Sequence, residues 1–550
     1  MLPAEHAAWA RGQPAARSSG TVIFWLTGRR AVRSGAIWGY IFGLAIASSA
    51  VSYTRIYKTV AHRDALAAAY GSDKATSALF GPAPQLQTVA GFTVFKISMT
   101  LMILGAVWGL LTSTRLLRGE EDSGRWELLL AGRYTRGRAA IQALSGLGAG
   151  VFTLWALTAL LTMVTGLDSA VGIAAGPALY FALAMVATAI MFLAVGALTS
   201  QLAATRGQAA SYAAWFLGAS YAVRLIADAG LGLHGLIWAS PFGWVEELRP
   251  LTAPQPVALV PVAVFTGVLA AVTVRLAGTR DVGAGIVPDR PSSRPHLRLL
   301  SGPTHLAVRL VRPTVIGWWV AIGVSALLFG LIARSAGGTI SGSSVQQVLA
   351  KLGARGSGAA AVLGVCFLIL AVLVAFAAAG QLTAARSEES TGRLDHLLDR
   401  PVSRSRWLGG RLGVAVVVLL AGGVVAGVFG WAGAASQHAG VSFTAMAEAG
   451  LNLVPPAMTI AGIGALAFGV RPRVTSAVVY ALLAWSLLVL IIGGIGSTSH
   501  WILDTSVFHQ MGSAPAASAH WAADGVMVAI GVVSALIGGV AFSRRDLQAE

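Results

Sequence analysis

Lysine is almost missing from this 550-residue chain: Lys58, Lys74, Lys96 and Lys351 are the only four among 39 basic residues. Charge of either sign is scarce, 11% of residues against 56% hydrophobic. Soluble domains average about 25% charged residues, so a soluble enzyme of this size is excluded. A disordered scaffold is excluded too, since that needs high charge and little hydrophobicity. The one cysteine, Cys366, sits in an apolar run. A disulfide framework and a thiolate metal site are ruled out, and Cys366 reads as a small packing residue. No lysine follows a glycine, so the Gly-x-x-x-x-Gly-Lys-Ser/Thr phosphate loop is absent. The 66 glycines keep no triplet period, which excludes collagen. No secretory leader is expected, because the apolar stretch 21–26 is short and runs into Arg29, Arg30 and Arg33.

What the chain does have is long apolar runs. A spanning helix needs about 20 largely apolar residues, and twelve such runs occur, from 35–54 to 525–542. They predict an all-α polytopic membrane protein of about twelve transmembrane helices, with glycine helping helices approach closely in lipid. The arginines fall in alternate gaps, 29 of the 39 basic residues on one side. The positive-inside rule makes that side cytoplasmic, together with both termini. The net charge of +17 is therefore a matter of topology, and no nucleic acid is expected as a partner. The bias towards arginine, alanine and glycine suggests a bacterial plasma membrane. Residues 21–33 read as an interfacial helix on the inner leaflet. The outer segment 231–248 is apolar but broken by Pro241. It reads as a re-entrant or interfacial hairpin sheltered by protein, centred on Ser240, Pro241, Phe242, Gly243 and Trp244.

One motif occurs twice. Glu120-Glu121-Asp122-Ser123-Gly124-Arg125-Trp126-Glu127-Leu128-Leu129-Leu130 returns as Glu388-Glu389-Ser390-Thr391-Gly392-Arg393-Leu394-Asp395-His396-Leu397-Leu398. Each copy lies in the cytoplasmic gap after the second span of its half and is followed by arginines. Weaker echoes, Pro177 with Pro456 and Ser240-Pro241-Phe242 with Ser506-Val507-Phe508, support a duplication. Two six-span halves in one orientation are parallel repeats: residues 1–277, a cytoplasmic linker 278–313, and 314–550. Within each copy the spacing predicts a short amphipathic helix. Trp126, Leu129 and Leu130 share one face, as do Leu394, Leu397 and Leu398. Glu127 and Asp395 suit the first turn, and Gly124 and Gly392 allow a sharp entry turn. Two equivalent copies point to a surface that docks a partner twice, with Glu120, Glu121, Glu388 and Glu389 orienting the helices and the leucine faces making the contact.

These residues resemble the coupling-helix signature of permease subunits of ABC transporters of the type-two exporter class. In that signature paired acids, a small residue, glycine, an Arg or Thr, an acid and Leu-Leu precede Pro-x-Ser-Arg. The second copy keeps the tail as Pro401-Val402-Ser403-Arg404, whereas the first has Arg133-Tyr134-Thr135-Arg136. The fused twelve-span form with Ser240–Trp244 is similar to actinobacterial exporters of polyketide and ionophore antibiotics, the tetronasin-resistance-like group. The resemblance implies a transport subunit with no ATPase site of its own, served by two copies of a separate ATPase subunit that hold ATP and Mg. The cargo it implies is a hydrophobic or amphipathic compound.

Other chemistry is thin. Arg224 and Asp228, four residues apart, are placed to pair on one helix face, as a structural anchor or a gate. Glu246 and Glu247 with Arg249 read as residues that hold the outer loop. Asp168, Glu448, Asp504 and Asp524 lie near outer span ends and are expected to be solvated. The outer histidines lack ligand spacing, so no metal is expected. Two other classes compete. A proton-coupled major-facilitator-type efflux transporter also has twelve spans in parallel halves, but no carboxylate lies deep in a span to carry a proton. A membrane-embedded glycosyltransferase needs acids in a long membrane-face loop, and 55–90 offers only Asp64 and Asp73.

Overall fold

The computed structural model describes residues 19–71, 81–130, 134–228, 233–281, 283–287, 300, 302–339, 358–399, 401–495 and 500–547. A few side chains within these ranges, Leu129 among them, lie outside the described residues. Every regular element among the described residues is helical, and ten helices are long and apolar enough to cross a membrane. The protein is an all-α, multi-pass membrane protein. All twelve apolar runs fall on helices. Two of those helices are outside the ten: Arg206–Asp228, which carries Arg224 and Asp228, and Thr475–Ile495, several of whose side chains lie outside the described residues.

The chain divides into two compact units, 1–291 and 292–550. In the first, α1 (Ser19–Ile56), α2 (Val89–Leu116), α5 (Arg136–Gly166), α6 (Ala175–Leu202), α7 (Arg206–Asp228) and α9 (Leu259–Thr279) are the long helices. Two short helices, α3 (Arg118–Asp122) and α4 (Arg125–Leu130), join α2 to α5, and α8 (Pro241–Glu246) precedes α9. The central helix is α6, with Phe181, Met185, Met191 and Phe192 at or near zero exposure. It has no polar face to show, which fits a helix enclosed by others.

The expected interfacial segment 21–33 is not a separate helix. It forms the beginning of α1, which runs 38 residues without a break, about 57 Å at 1.5 Å per residue. Gly35 does not interrupt it, because α1 and α5 meet there: a Cβ on Gly35 would lie 2.2 Å from the Gly150 carbonyl oxygen. Close packing holds the helix where propensity alone would weaken it.

The second unit repeats the plan. Its helices are α10 (Pro303–Thr339), α11 (Ala359–Ser390), the short α12 (Arg393–Leu398), α13 (Arg404–Ser436), α14 (Phe443–Leu451), α15 (Val454–Val470), α16 (Thr475–Ile495) and α17 (Trp521–Arg544). The expected linker is helical from Pro303 onward, through Pro313. Ala307, Val311 and Val315 recur every four residues and are buried against Val414 and Val418 of α13. That apolar seam outweighs the proline's missing donor. Cys366 is buried in α11, as a packing residue should be.

Candidate functional site

The repeated motif forms the same turn twice. α2 stops at Leu116, α3 carries Glu120 and Glu121, and Gly124 reverses the chain at φ +72° before α4. In the second unit α11 itself extends through Glu388 and Glu389, and Gly392 turns at φ +70° into α12. A Cβ on Gly124 would meet nothing within 4 Å. The left-handed backbone, not lack of space, calls for glycine here.

The second acid of each pair is clamped to the end of the last helix of its half. Glu121 is bound by Arg280, the residue after α9, through Nη1 at 2.7 Å and Nη2 at 2.5 Å, and it also accepts from the Gly283 amide at 2.8 Å. Glu389 is bound by Arg545, the residue after α17, at 2.6 and 2.7 Å. Both carboxylates are buried. The arginine that opens the following helix secures the same joint. Arg136 donates to the Arg280 carbonyl at 2.6 Å and to Asp281 at 3.0 Å, and Arg404 donates to the Arg545 carbonyl. The loss of Pro-x-Ser in the first tail therefore leaves its arginine contact intact.

The first acids have different partners. Glu120 pairs with Arg30 of α1 at 2.5 Å and with Arg125 at 2.8 Å, and Glu388 pairs with the buried Arg411 of α13. Arg118 is 1% exposed and pairs with Glu121 at 3.2 Å and Asp122 at 3.1 Å, while donating to the carbonyls of Ala204, Gly283 and Ala284.

The apolar faces require a correction. Leu394 is fully buried, and Leu397 and Leu398 pack with it against Trp407, Phe468 and Phe542. Trp126 and Leu130 pack against Ile23, Leu116, Ala139 and Leu193. Leu394 points into the core of its own half, and Trp126, Leu130, Leu397 and Leu398 are half-buried against theirs. An amphipathic face finds the largest apolar surface available, and here that is the helix bundle beneath it. The side chain of Leu129 lies outside the described residues. What faces outward is Arg125, Glu127 and Leu128 in one copy, with Leu128 80% exposed, and Arg393 and His396 in the other, with Asp395 half-buried.

At the other end of the first unit the expected outer loop forms two short helices, a 3-10 turn His234–Ala239 and α8. Ser240 caps α8 by accepting from the Phe242 amide at 3.2 Å, and its hydroxyl donates to the Ser220 carbonyl at 2.6 Å. Pro241 takes the first helical turn, where its missing N–H is harmless. Phe242 and Gly243 are buried, and the Trp244 indole donates to the Trp238 carbonyl at 2.6 Å. Ser506 repeats the anchor in the second unit, donating to the Ser486 carbonyl at 2.9 Å, with Phe508 buried beside it.

Arg224 and Asp228 pair as their spacing predicts, at 2.9 Å, but with a third member. Glu246 Oε2 accepts from Arg224 Nε at 2.6 Å. Arg224 is completely buried and both carboxylates nearly so. Beside them Glu247 pairs with Arg249 at 2.8 Å, and His234 stands 3.5 Å from Asp228 and 3.6 Å from Glu247. Burial, and then the neighbouring Asp228 carboxylate, push the Glu246 carboxyl up to about 7, against the pull of Arg224. Asp524, expected to be solvated, is 3% exposed at the start of α17.

Sequence reasoning missed Arg280, Arg545 and the Glu246 link. A signal for the first two existed: Arg280-Asp281-Val282 returns as Arg545-Asp546-Leu547 after the last span of each half.

With this geometry in hand, two similarities to known proteins bear on it. Residues 300–543 match the family model described as multidrug efflux system permease Rv1217c, C-terminal domain. The chain is also similar to the multidrug efflux system permease protein Rv1217c of Mycobacterium tuberculosis (strain ATCC 25618 / H37Rv). The two are 29% identical over 561 residues, which cover 99% of this chain and 98% of that protein.

Proposed function

We propose that this chain is the membrane permease subunit of an ATP-driven exporter, moving hydrophobic or amphipathic compounds out of the cell with a separate ATPase subunit. The observation that carries the reading is the duplicated clamp. Each half presents a short helix beyond its second long helix, and each locks that helix by a buried acid to the end of its last one. A surface helix with no task beyond covering the bundle would not need to be wired to a distant helix end, twice, by the same residues. The likeness to a multidrug efflux system permease over nearly the full length supports efflux as the direction and drugs as cargo. The motif's resemblance to type-two ABC exporters, and the fused form's to the tetronasin-resistance-like group, supply the finer class.

The division of labour follows. The partner subunits, two per chain, bind and hydrolyse ATP with Mg. This chain receives their motion at Arg125, Glu127 and Leu128 and at Arg393 and His396. When α4 is displaced, Arg118 and Glu121 are pulled with it, and Arg280 drags the end of α9. When α12 is displaced, Glu389 and Arg545 move the end of α17 in the same way. A charge-assisted bidentate bond transmits direction as well as force. Both termini would then be cytoplasmic.

The test is assembly. The full chain, purified with a co-expressed ATPase subunit, should hydrolyse ATP only as a complex, and Leu128→Ser with His396→Ser should uncouple turnover while the permease stays folded. ATP hydrolysis by the permease alone, or full transport in that double variant, would overturn the reading.

A further inference from the structure

A cavity of about 640 Å³ opens along the second unit between α10 and α13. That volume is well inside the range of small-molecule sites, about 300–1,000 Å³. The two helices touch at one end of it, where Gly410 meets the Thr304 side chain. They touch again beyond the other end, where a Cβ on Gly323 would stand 3.0 Å from Val425 Cγ1. Between those contacts they leave a trough. Its floor is the buried seam of Val311 and Val315 with Val414 and Val418. Gly413 forms part of the α13 wall, and a Cβ there would meet nothing within 4 Å. The Trp319 indole, donating to the Val418 carbonyl at 3.1 Å, closes the far end.

The membrane boundary falls on this trough. Residues 313–333 hold no charge, and Arg312 and Arg334 bracket them. They rise about 31 Å at 1.5 Å per residue, which matches a hydrocarbon core about 30 Å thick. Arg312 therefore stands at headgroup level, and from Val315 to Trp319 the trough runs through the hydrocarbon of the adjoining leaflet. Arg312 is the charged residue in the wall, and among the described residues no acid pairs with it. Acids are missing from both helices altogether. α10 carries Arg309, Arg312 and Arg334, α13 carries Arg404, Arg406 and Arg411, and neither holds Asp or Glu. Arg411 is taken by Glu388 of α11. In the first unit Arg30 of α1 is likewise taken, by Glu120. An unpaired guanidinium at the edge of hydrocarbon, beside an open apolar trough, calls for an anion that is itself amphipathic.

We infer that this trough binds an anionic phospholipid, its phosphate accepting from Arg312 and one acyl chain lying along Val315, Ile316 and Val417 toward Trp319. The phosphate supplies the counter-charge that neither helix provides, and the chain fills apolar volume that is unfavourable for water. Basic pockets between spanning helices take such headgroups. Inorganic phosphate would satisfy the arginine and leave the trough empty, and an uncharged amphiphile would do the reverse. The site concerns one helix pair of one unit and needs no ATPase, so it stands or falls apart from the transport reading.

The experiment uses the full chain, purified in detergent and freed of lipid. Native mass spectrometry follows its titration with dioleoyl phosphatidylglycerol or with dioleoyl phosphatidylcholine. The wild type should bind the first phosphatidylglycerol about fivefold or more tighter than phosphatidylcholine, the order expected for one arginine at an anionic headgroup. Arg312→Gln should remove that preference, and Arg312→Lys should keep most of it. Gly413→Leu, whose Cβ enters open space, should weaken both lipids by filling the trough. Gly267→Leu, at an equally open place on α9, should change neither. Leucine is the better helix former at both glycines, and gel filtration verifies that each variant is folded. Phosphatidylglycerol should raise the melting temperature of the wild type, and sodium phosphate at the same concentration should not. Equal affinity for the two lipids, an intact preference in Arg312→Gln, or wild-type binding by Gly413→Leu would overturn the inference. Protection by sodium phosphate equal to that by the lipid would also overturn it, leaving a bare anion site.

Discussion

Glu121 and Glu389 end in matching arrangements, each carboxylate gripped by the arginine that follows the last helix of its half. At the opposite end the halves part. In the register set by Ser240 and Ser506, the places of Arg224, Asp228 and Glu246 are taken by Leu490, Gly494 and Gly512. Yet the serine anchors of that end match, hydroxyl to carbonyl over 20 residues in both. The backbone scaffold and the clamp belong to each half as such. The charge cluster was placed on one copy of a shared scaffold, which marks it as a specialised feature rather than a condition of folding.

The most severe break of this comparison is to remove both clamps. Arg280→Ala with Arg545→Ala removes the bidentate partner of two buried carboxylates, and a broken buried pair costs about 3–5 kcal/mol, an upper bound for Glu121, which keeps Arg118 and the Gly283 amide. Thermal unfolding should drop sharply, and both single variants should lose stability. If only one half is affected, the clamps are not equivalent. Next comes Leu394→Ala, which opens a cavity under α12 and should cost about 2–5 kcal/mol, whereas Leu128→Ser should leave the melting temperature unchanged. The reverse order would restore the outward-facing leucines.

The charge cluster gives a finer test. Swapping Arg224→Asp with Asp228→Arg would set an aspartate against Glu246, so the swap should not rescue either single change in expression assays. Rescue would mean that the Glu246 contact contributes nothing. The same cluster carries a pH signature. Glu246 titrates near 7 in the fold against an ordinary 4.5. Between those values the folded protein holds a proton that the unfolded chain has released, so stability falls as pH rises through that window. Glu246→Gln should flatten the slope of melting temperature against pH there. Smallest of all, Ser506→Ala should cost about 1 kcal/mol, one hydrogen bond, and Ser240→Ala more than that, since its hydroxyl also caps α8.

Much of this was legible beforehand. Apolar runs gave the helices, and the motif gave both glycine turns, because a glycine between an acid pair and a leucine pair suits a left-handed turn between two short helical pieces. Periodicity shows that Trp126 and Leu394 share an apolar face with their neighbours, but not which side of the helix the rest of the bundle lies on. The partners Arg280 and Arg545 stand some 160 residues from their acids, beyond any local rule, although the repeated Arg-Asp pair could have exposed them. Glu246 lies 22 residues from Arg224, and only the turn capped by Ser240 brings it back. Continuity of α1 was missed because Arg29, Arg30 and Arg33 look like an interfacial face until Arg30 is seen to bind Glu120.

The charge cluster, found in one half among the described residues, also bears on why two halves share one polypeptide. A dimer of identical chains obeys its own symmetry: any site away from the axis appears twice or not at all. Covalent fusion lifts that restriction. It lets the two clamped turns stay matched, while a cluster of acids is kept in one half and the corresponding sequence positions of the other carry leucine and glycine.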